Sequence, residues 1–207
     1  MRILLVEPAY YTRYPSLGLL KLASYRELQG DTVELVRGCQ PVIRPPDTVY
    51  ITSLFTYAWK PVHQAVTYYK NMFPRAKVVV GGIYATLMPE HAALSGADEV
   101  HQGLFEEAED LPPDYSLVPG WRQSIVFSHR GCVNHCPYCA VPIMEPTVGK
   151  IKVKSIRHLV MPGHQKIVLW DNNLLGATNW RDLIAELKEI RLPVDFNQGL
   201  DARRITT

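Results

Sequence analysis

At 207 residues, with 47% hydrophobic and 20% charged side chains, the chain carries enough apolar material for a globular protein of one or two domains with real cores. Its 22 basic and 20 acidic residues leave a formal charge of +2, a balance that argues for neither a nucleic-acid nor a membrane partner. The first apolar run, RILLV at 2–6, is broken by Glu7 and Pro8; it is too short for a signal-peptide core or a bilayer span, and a cytoplasmic protein is expected.

In chain order, short apolar runs at 2–6, 32–36 (TVELV), 48–52 (TVYIT) and 77–81 (KVVVG) each read as a buried parallel strand. Helical patterns lie between them. Leu17, Leu20, Ser24 and Leu28 share a face of the first helix, which Gly30 is placed to end. Val62, Ala65, Val66, Tyr69, Met72 and Phe73 follow the helical period in the second, with Pro61 in its first turn. A short strand near Asp98 to His101 completes the set. Strict alternation of strand and helix means βαβ units, hence a doubly wound α/β domain with a parallel sheet over residues 1–105. The stretch 106–121 (EEAEDLPPDYSLVPGW) is acidic and then rich in Pro and Gly, and reads as a solvated interdomain connection.

From 122 to 207 the alternation resumes. Runs at 124–128 (SIVFS), 166–170 (KIVLW) and 193–196 (PVDF) read as strands, and 179–190 as an amphipathic helix with Leu183, Ile184, Leu187 and Ile190 on one face and Asn179 as its N-cap.

Three of the four cysteines fall in HRGCVNHCPYCAVP, residues 129–142. Cys132, Cys136 and Cys139 have the spacing C-x3-C-x2-C on the loop after an apolar strand, a pattern suited to one metal centre in a reducing compartment. A 4Fe-4S cluster held by three cysteines keeps one iron open, whereas structural zinc needs a fourth ligand, for which His129 and His135 are near enough in sequence. The remaining Cys39 is expected to be a buried small apolar side chain.

The segment CVNHCPYC resembles the signature of the radical S-adenosylmethionine enzymes, a C-x3-C-x-aromatic-C loop after the first strand of a (βα) barrel, with Tyr138 as the aromatic residue. The resemblance implies that Cys132, Cys136 and Cys139 hold the cluster and that its free iron chelates S-adenosylmethionine, which one electron cleaves to a 5'-deoxyadenosyl radical. It further implies cosubstrate contacts at the carboxyl ends of the next two strands. Those ends read VLWDNNLLG and VDFNQGLDAR, which gives Asp171, Asn172, Asn197 and Gln198, with Tyr138 against adenine. By physics alone, such Asp and Asn residues also serve as helix caps and turns.

The first half is similar to the cobalamin-binding domain that precedes the radical domain in one branch of that family, through PSLGLLKLASYRELQGDTVELV, VYITSLFTYAW, VVVGGIYATLMPEH and ADEVHQG. The similarity implies cobalamin contacts at Ser53, Leu54, Gly81, Gly82 and Ile83. The D-x-H-x-x-G motif that brings histidine to cobalt is absent, the chain reading EPAYYTR there, and His101 in DEVHQG is expected to be a surface or turn residue.

Only 68 residues follow Cys139, room for three βα units of what the resemblance implies is a larger barrel. The expectation is a partial barrel: a fragment, a short form, or a chain whose partner or oligomer closes it. The implied activity is radical-initiated methylation or rearrangement of a small or peptide-derived substrate, with a flavodoxin or ferredoxin as electron donor. A silent cobalamin- or cluster-binding module and a zinc-stabilised structural protein are the alternatives.

Overall fold

In the computed structural model, which describes residues 1–146 and 154–205, the apolar runs become strands whose alternate residues serve opposite faces. In β1 (Arg2–Glu7), Ile3 and Leu5 join one core cluster while Leu4 and Val6 join another. A strand buried on both faces belongs in the middle of a covered parallel sheet. β1 does lie between β2 (Thr32–Arg37) and β3 (Thr48–Thr52), and β4 (Lys77–Gly81) and β5 (Glu99–Val100) complete the all-parallel order β2-β1-β3-β4-β5. Helix α1 (Leu17–Leu28) covers one face with Leu19 and Ala23, and α2 (Trp59–Met72) covers the other with Val62, Ala65, Val66 and Tyr69. Short helices α3 (Ile83–Leu87) and α4 (Pro89–Ala93) follow β4.

The chain divides into two compact units, Met1–Ala108 with Pro113–Pro119, and Glu109–Pro112 with Gly120–Thr207. The stretch 106–121 is folded along much of its length: Tyr115 is buried, Leu117 packs on the Ile3–Leu5 cluster of unit 1, and Glu109 is buried in unit 2 rather than solvated.

Unit 2 pairs β6 (Gln123–Val126), β7 (Lys166–Leu169) and β8 (Val194–Phe196) in a three-stranded parallel sheet of that order. Helix α5 (Val141–Met144) is a single turn; α6 (Trp180–Ile190) packs Leu183 and Leu187 against Val126, Ile167 and Leu169. No helix among the described residues is long and apolar enough to cross a membrane.

Several local expectations need correction. The run 32–36 is not a buried strand: β2 is the sheet edge and none of its residues is fully buried, because only one neighbour covers it. The core face of α1 runs through Leu19, Leu20 and Ala23, while Leu28 at the helix end is 70% exposed. Cys39 is exposed, since it follows Gly38 out of the edge strand into a loop. Asn179 stands at the N-cap of α6, but its side chain makes no capping bond; its backbone carbonyl accepts from Leu183. The run 124–128 ends as a strand at Val126, which releases Phe127 and Ser128 to the site described below.

One polar cluster sits within the α2–α4 packing. The fully buried Tyr84 has its hydroxyl 2.9 Å from His63 Nε2 and 2.6 Å from His91 Nδ1, with Trp59 edge-on to both imidazoles. Burial, and then the neighbouring His91, hold the His63 pKa below the ordinary histidine value. A lowered histidine pKa means the unfolded chain takes up the proton first as pH falls. Stability is therefore full above the unfolded value of about 6.5 and is lost as pH drops toward the folded one. His63→Gln, which keeps a hydrogen-bonding group toward Tyr84, is expected to flatten the fall in urea midpoint between about pH 7.5 and 5. An unchanged fall would show that His63 is not its source.

Candidate functional site

Parallel pairing carries the ends of β6, β7 and β8 to one edge of unit 2, where Trp170 N–H donates to the Val126 carbonyl and Asn197 N–H to the Leu169 carbonyl. The cysteine loop leaves β6, Asp171 to Asn173 leave β7, and Asn197 and Gln198 leave β8.

Asp171 is the hub. It is 3% exposed, and its Oδ1 accepts from Ser128 N–H at 3.0 Å, Ser128 Oγ–H at 2.6 Å and His129 N–H at 3.0 Å, with His129 Nδ1 2.8 Å away. A buried carboxylate needs such donors. Its Oδ2, by contrast, is buried without a partner among the described residues, as is Oδ1 of Asn173, itself 4% exposed. These are two buried acceptors at one strand end for which none of the described residues supplies a donor.

The base of the cysteine loop holds the second constellation. Arg130 lies over the Phe127 ring, 3.4 Å from its centroid, and its guanidinium grips Glu109 through Nε at 2.8 Å and Nη2 at 3.0 Å. Its Nη1 reaches Glu145 at 3.2 Å. Glu145 also accepts from Gly131 N–H at 2.6 Å and from the Asn172 amide at 3.0 Å.

Within the loop, Cys139 N–H donates to the Cys136 carbonyl and Asn134 N–H lies 3.4 Å from Cys132 Sγ. Val133 fills the space beside Gly176, where a Cβ would stand 2.8 Å from its methyl. Asp201 accepts from the Asn134 side chain at 3.2 Å and from Arg203, whose guanidinium is the first cause of its lowered pKa, followed by Asn134. Tyr138 is 89% exposed, and its hydroxyl, hydrogen-bonded to Cys136, has a raised pKa for that reason first.

All four cysteines are free, and Cys132, Cys136 and Cys139 are half-buried on one loop. Among the described residues no three His, Cys, Asp or Glu side chains stand together as a metal-holding group, so the three thiols share a loop without being drawn to a point. Neither histidine weighed as a fourth zinc ligand is brought to the thiols: His129 is buried with Nδ1 committed to Asp171, and His135 is exposed. Asn172 is tied to Glu145, and Asn197 and Gln198 are exposed.

In unit 1 the doubly wound order puts the switch point between β1 and β3, where ligands of such sheets bind beyond the carboxyl ends. Tyr10 bridges it, its hydroxyl accepting from Leu54 N–H at 3.3 Å, and burial raises the Tyr10 pKa. Ser53 is fully buried; its Oγ donates to the Gly81 carbonyl at 2.8 Å and accepts from Ala85 N–H at 3.1 Å. Gly82, at φ 107°, has the Ser53 carbonyl 2.7 Å from where a Cβ would be. The close approach that this glycine permits is thus made by the chain's own backbone. Gly81 lies beside His101, which is half-buried just after β5, with an Nε2 that has no hydrogen-bond partner among the described residues. What the edge leaves accessible is apolar and aromatic: Leu54 and Ile83 are half-buried, and Tyr57, 78% exposed, stacks on Phe55 at 5.0 Å.

The sequence motifs assign no role to Arg130, Glu109, Glu145, Ser128, Asn134 or Asp201, and they place Asn173 at the end of β7 without a contact of its own. Ser128, Arg130, Asn134, Asn173 and Asp201 lie inside the strand and loop stretches quoted above and Glu109 in the acidic one, whereas Glu145 carries no local signal. Asp171→Ala would leave the N–H groups of Ser128 and His129 buried without acceptors, each costing about 1–3 kcal/mol. The urea midpoint of unit 2, followed through Trp121, Trp170 and Trp180, is expected to fall by the equivalent of at least about 2 kcal/mol, with Asp171→Asn losing less. An unchanged midpoint would remove Asp171 from the centre of this account.

No protein-family model matches the chain, and no curated protein does. Among solved structures it is similar to a novel cobalamin-binding protein from Desulfitobacterium hafniense DCB-2, with 20% identity over 47% of this chain and 50% of that one and a TM-score of 0.38. The chain thus spans half the length of that neighbour, at a likeness too distant to establish a shared fold.

Proposed function

We propose that this chain is a radical S-adenosylmethionine enzyme, or a portion of one, built on a partial (βα) barrel. The observation that carries the reading is the set of free thiols at Cys132, Cys136 and Cys139 on the loop after β6, beside a strand end where Asp171 keeps one buried oxygen open. The donor chemistry fits: thiolates are the ligands of iron–sulfur clusters, and three of them leave one iron of a 4Fe-4S cluster for another ligand. When bound, the cluster supplies the electron that cleaves S-adenosylmethionine and so delivers a 5'-deoxyadenosyl radical to a small or peptide-derived substrate.

The chain's own residues position the cosubstrate. Asp171 and Asn173 would meet its amino or hydroxyl groups, Asn197 and Gln198 would contact it from the end of β8, and the exposed Tyr138 ring would offer a stacking face for adenine. Such a cluster would draw its electron from a flavodoxin- or ferredoxin-type donor in the cytoplasm.

Unit 1 is read as a cobalamin-type domain serving methylation or rearrangement. Ser53, Leu54 N–H and Gly82 are engaged within the chain, so contacts to a corrin macrocycle come from the apolar and aromatic surface of Leu54, Tyr57 and Ile83. No side chain is assigned to cobalt.

The test is release of 5'-deoxyadenosine from S-adenosylmethionine by anaerobically reconstituted, dithionite-reduced protein. The wild type is expected to release it, and Cys132→Ser, Cys136→Ser and Cys139→Ser each to abolish release. A cluster-loaded wild type that releases none would be a silent binding module, and the enzymatic reading would fall.

A further inference from the structure

Among the described residues, two carboxylates, Glu109 and Glu145, each 8% exposed, meet at the Arg130 guanidinium, and Glu109 takes the bidentate grip. Glu145 receives one Arg130 N–H, and its other oxygen is met by Gly131 N–H and the Asn172 amide. Gly131 begins the cysteine loop and Glu145 ends the turn that closes it, immediately after α5. A buried carboxylate that lost those donors would be left uncompensated, so solvation of Glu145 requires the two ends of the loop to stay together.

We infer that Glu145, with Arg130, is a clasp that holds the two ends of the Cys132–Cys139 loop together before any metal arrives, leaving the metal only to draw the three thiols to a point. The inference rests on the cluster reading proposed above. Arg130 and Glu145 are positioning residues in it, since neither touches the thiols. Arg130 is anchored on three sides, by Phe127, Glu109 and Glu145, which fixes the loop to the end of β6; the Asn172 bond fixes the same carboxylate to the end of β7. The clasp thereby refers the thiols to two strand ends at once. Because it is made of protein groups alone, the loop is closed in the metal-free chain, unlike a structural zinc loop that folds only on its metal.

The experiment compares wild type, Glu145→Ala and Glu145→Gln in the full chain. Amide exchange at Gly131 is measured in metal-free protein; iron and sulfide content and the cluster's reduction potential are measured after anaerobic reconstitution. The wild-type Gly131 amide is expected to be protected without metal. Glu145→Ala is expected to raise its exchange at least about tenfold, with amides of β6 and β7 unchanged, to lower iron uptake several-fold and to shift the potential of whatever cluster forms. Glu145→Gln, whose carbonyl still accepts from Gly131, is expected to recover protection and iron uptake in part; it also serves where the alanine variant fails to fold.

A wild type that loads a cluster, with both variants matching it in exchange, iron content and potential, overturns the clasp alone. A folded wild type that takes up no iron overturns the cluster reading and this inference with it.

Discussion

A carboxylate taken out of water must be met by hydrogen-bond donors, and unit 2 turns that requirement into architecture. Asp171 gathers the backbone of Ser128 and His129, so the exit of β6 is held to the exit of β7. Glu145 gathers Gly131, Arg130 and Asn172, so the cysteine loop is closed on itself and held to the same strand end. Neither contact need be worth much net, since hydrogen bonds to charged groups contribute about 1.5–3 kcal/mol each. Their force lies in the alternative, a buried uncompensated charge, which is far more costly. The loop is therefore placed by what the carboxylates cannot do without.

Both strand edges combine satisfied and unsatisfied polar groups. In unit 1 Ser53 joins Gly81 to Ala85 and Tyr10 takes the Leu54 N–H, while His101 Nε2 is buried without a hydrogen-bond partner among the described residues. In unit 2 the edge is left with two buried acceptors, on Asp171 and Asn173, that nothing among the described residues satisfies.

Much of this was legible in the primary structure. β1, β3 and β4 declare themselves because strands buried on both faces must be continuously apolar, and parallel order follows from alternation with helices. The cysteine loop is visible because its ligand spacing is local. What stayed hidden was set by neighbours far away in sequence. Val33 and Leu35 look as apolar as any core residue, yet their strand ends up at an edge. Leu28 keeps the helical period but, as the last residue of α1, is left exposed, and Cys39 leaves the edge strand for a loop. Glu109 and Glu145 look like ordinary acids; their partner, Arg130, is 21 and 15 residues away, and only the topology joins them.

The most direct measurement of the central claim is low-temperature EPR of the anaerobically reconstituted, reduced protein with and without S-adenosylmethionine. The account predicts a reduced iron–sulfur signal whose g values shift when the cosubstrate is added, because one iron is open to it. A folded protein that forms no cluster and instead holds zinc, or a cluster whose signal ignores S-adenosylmethionine, would contradict it.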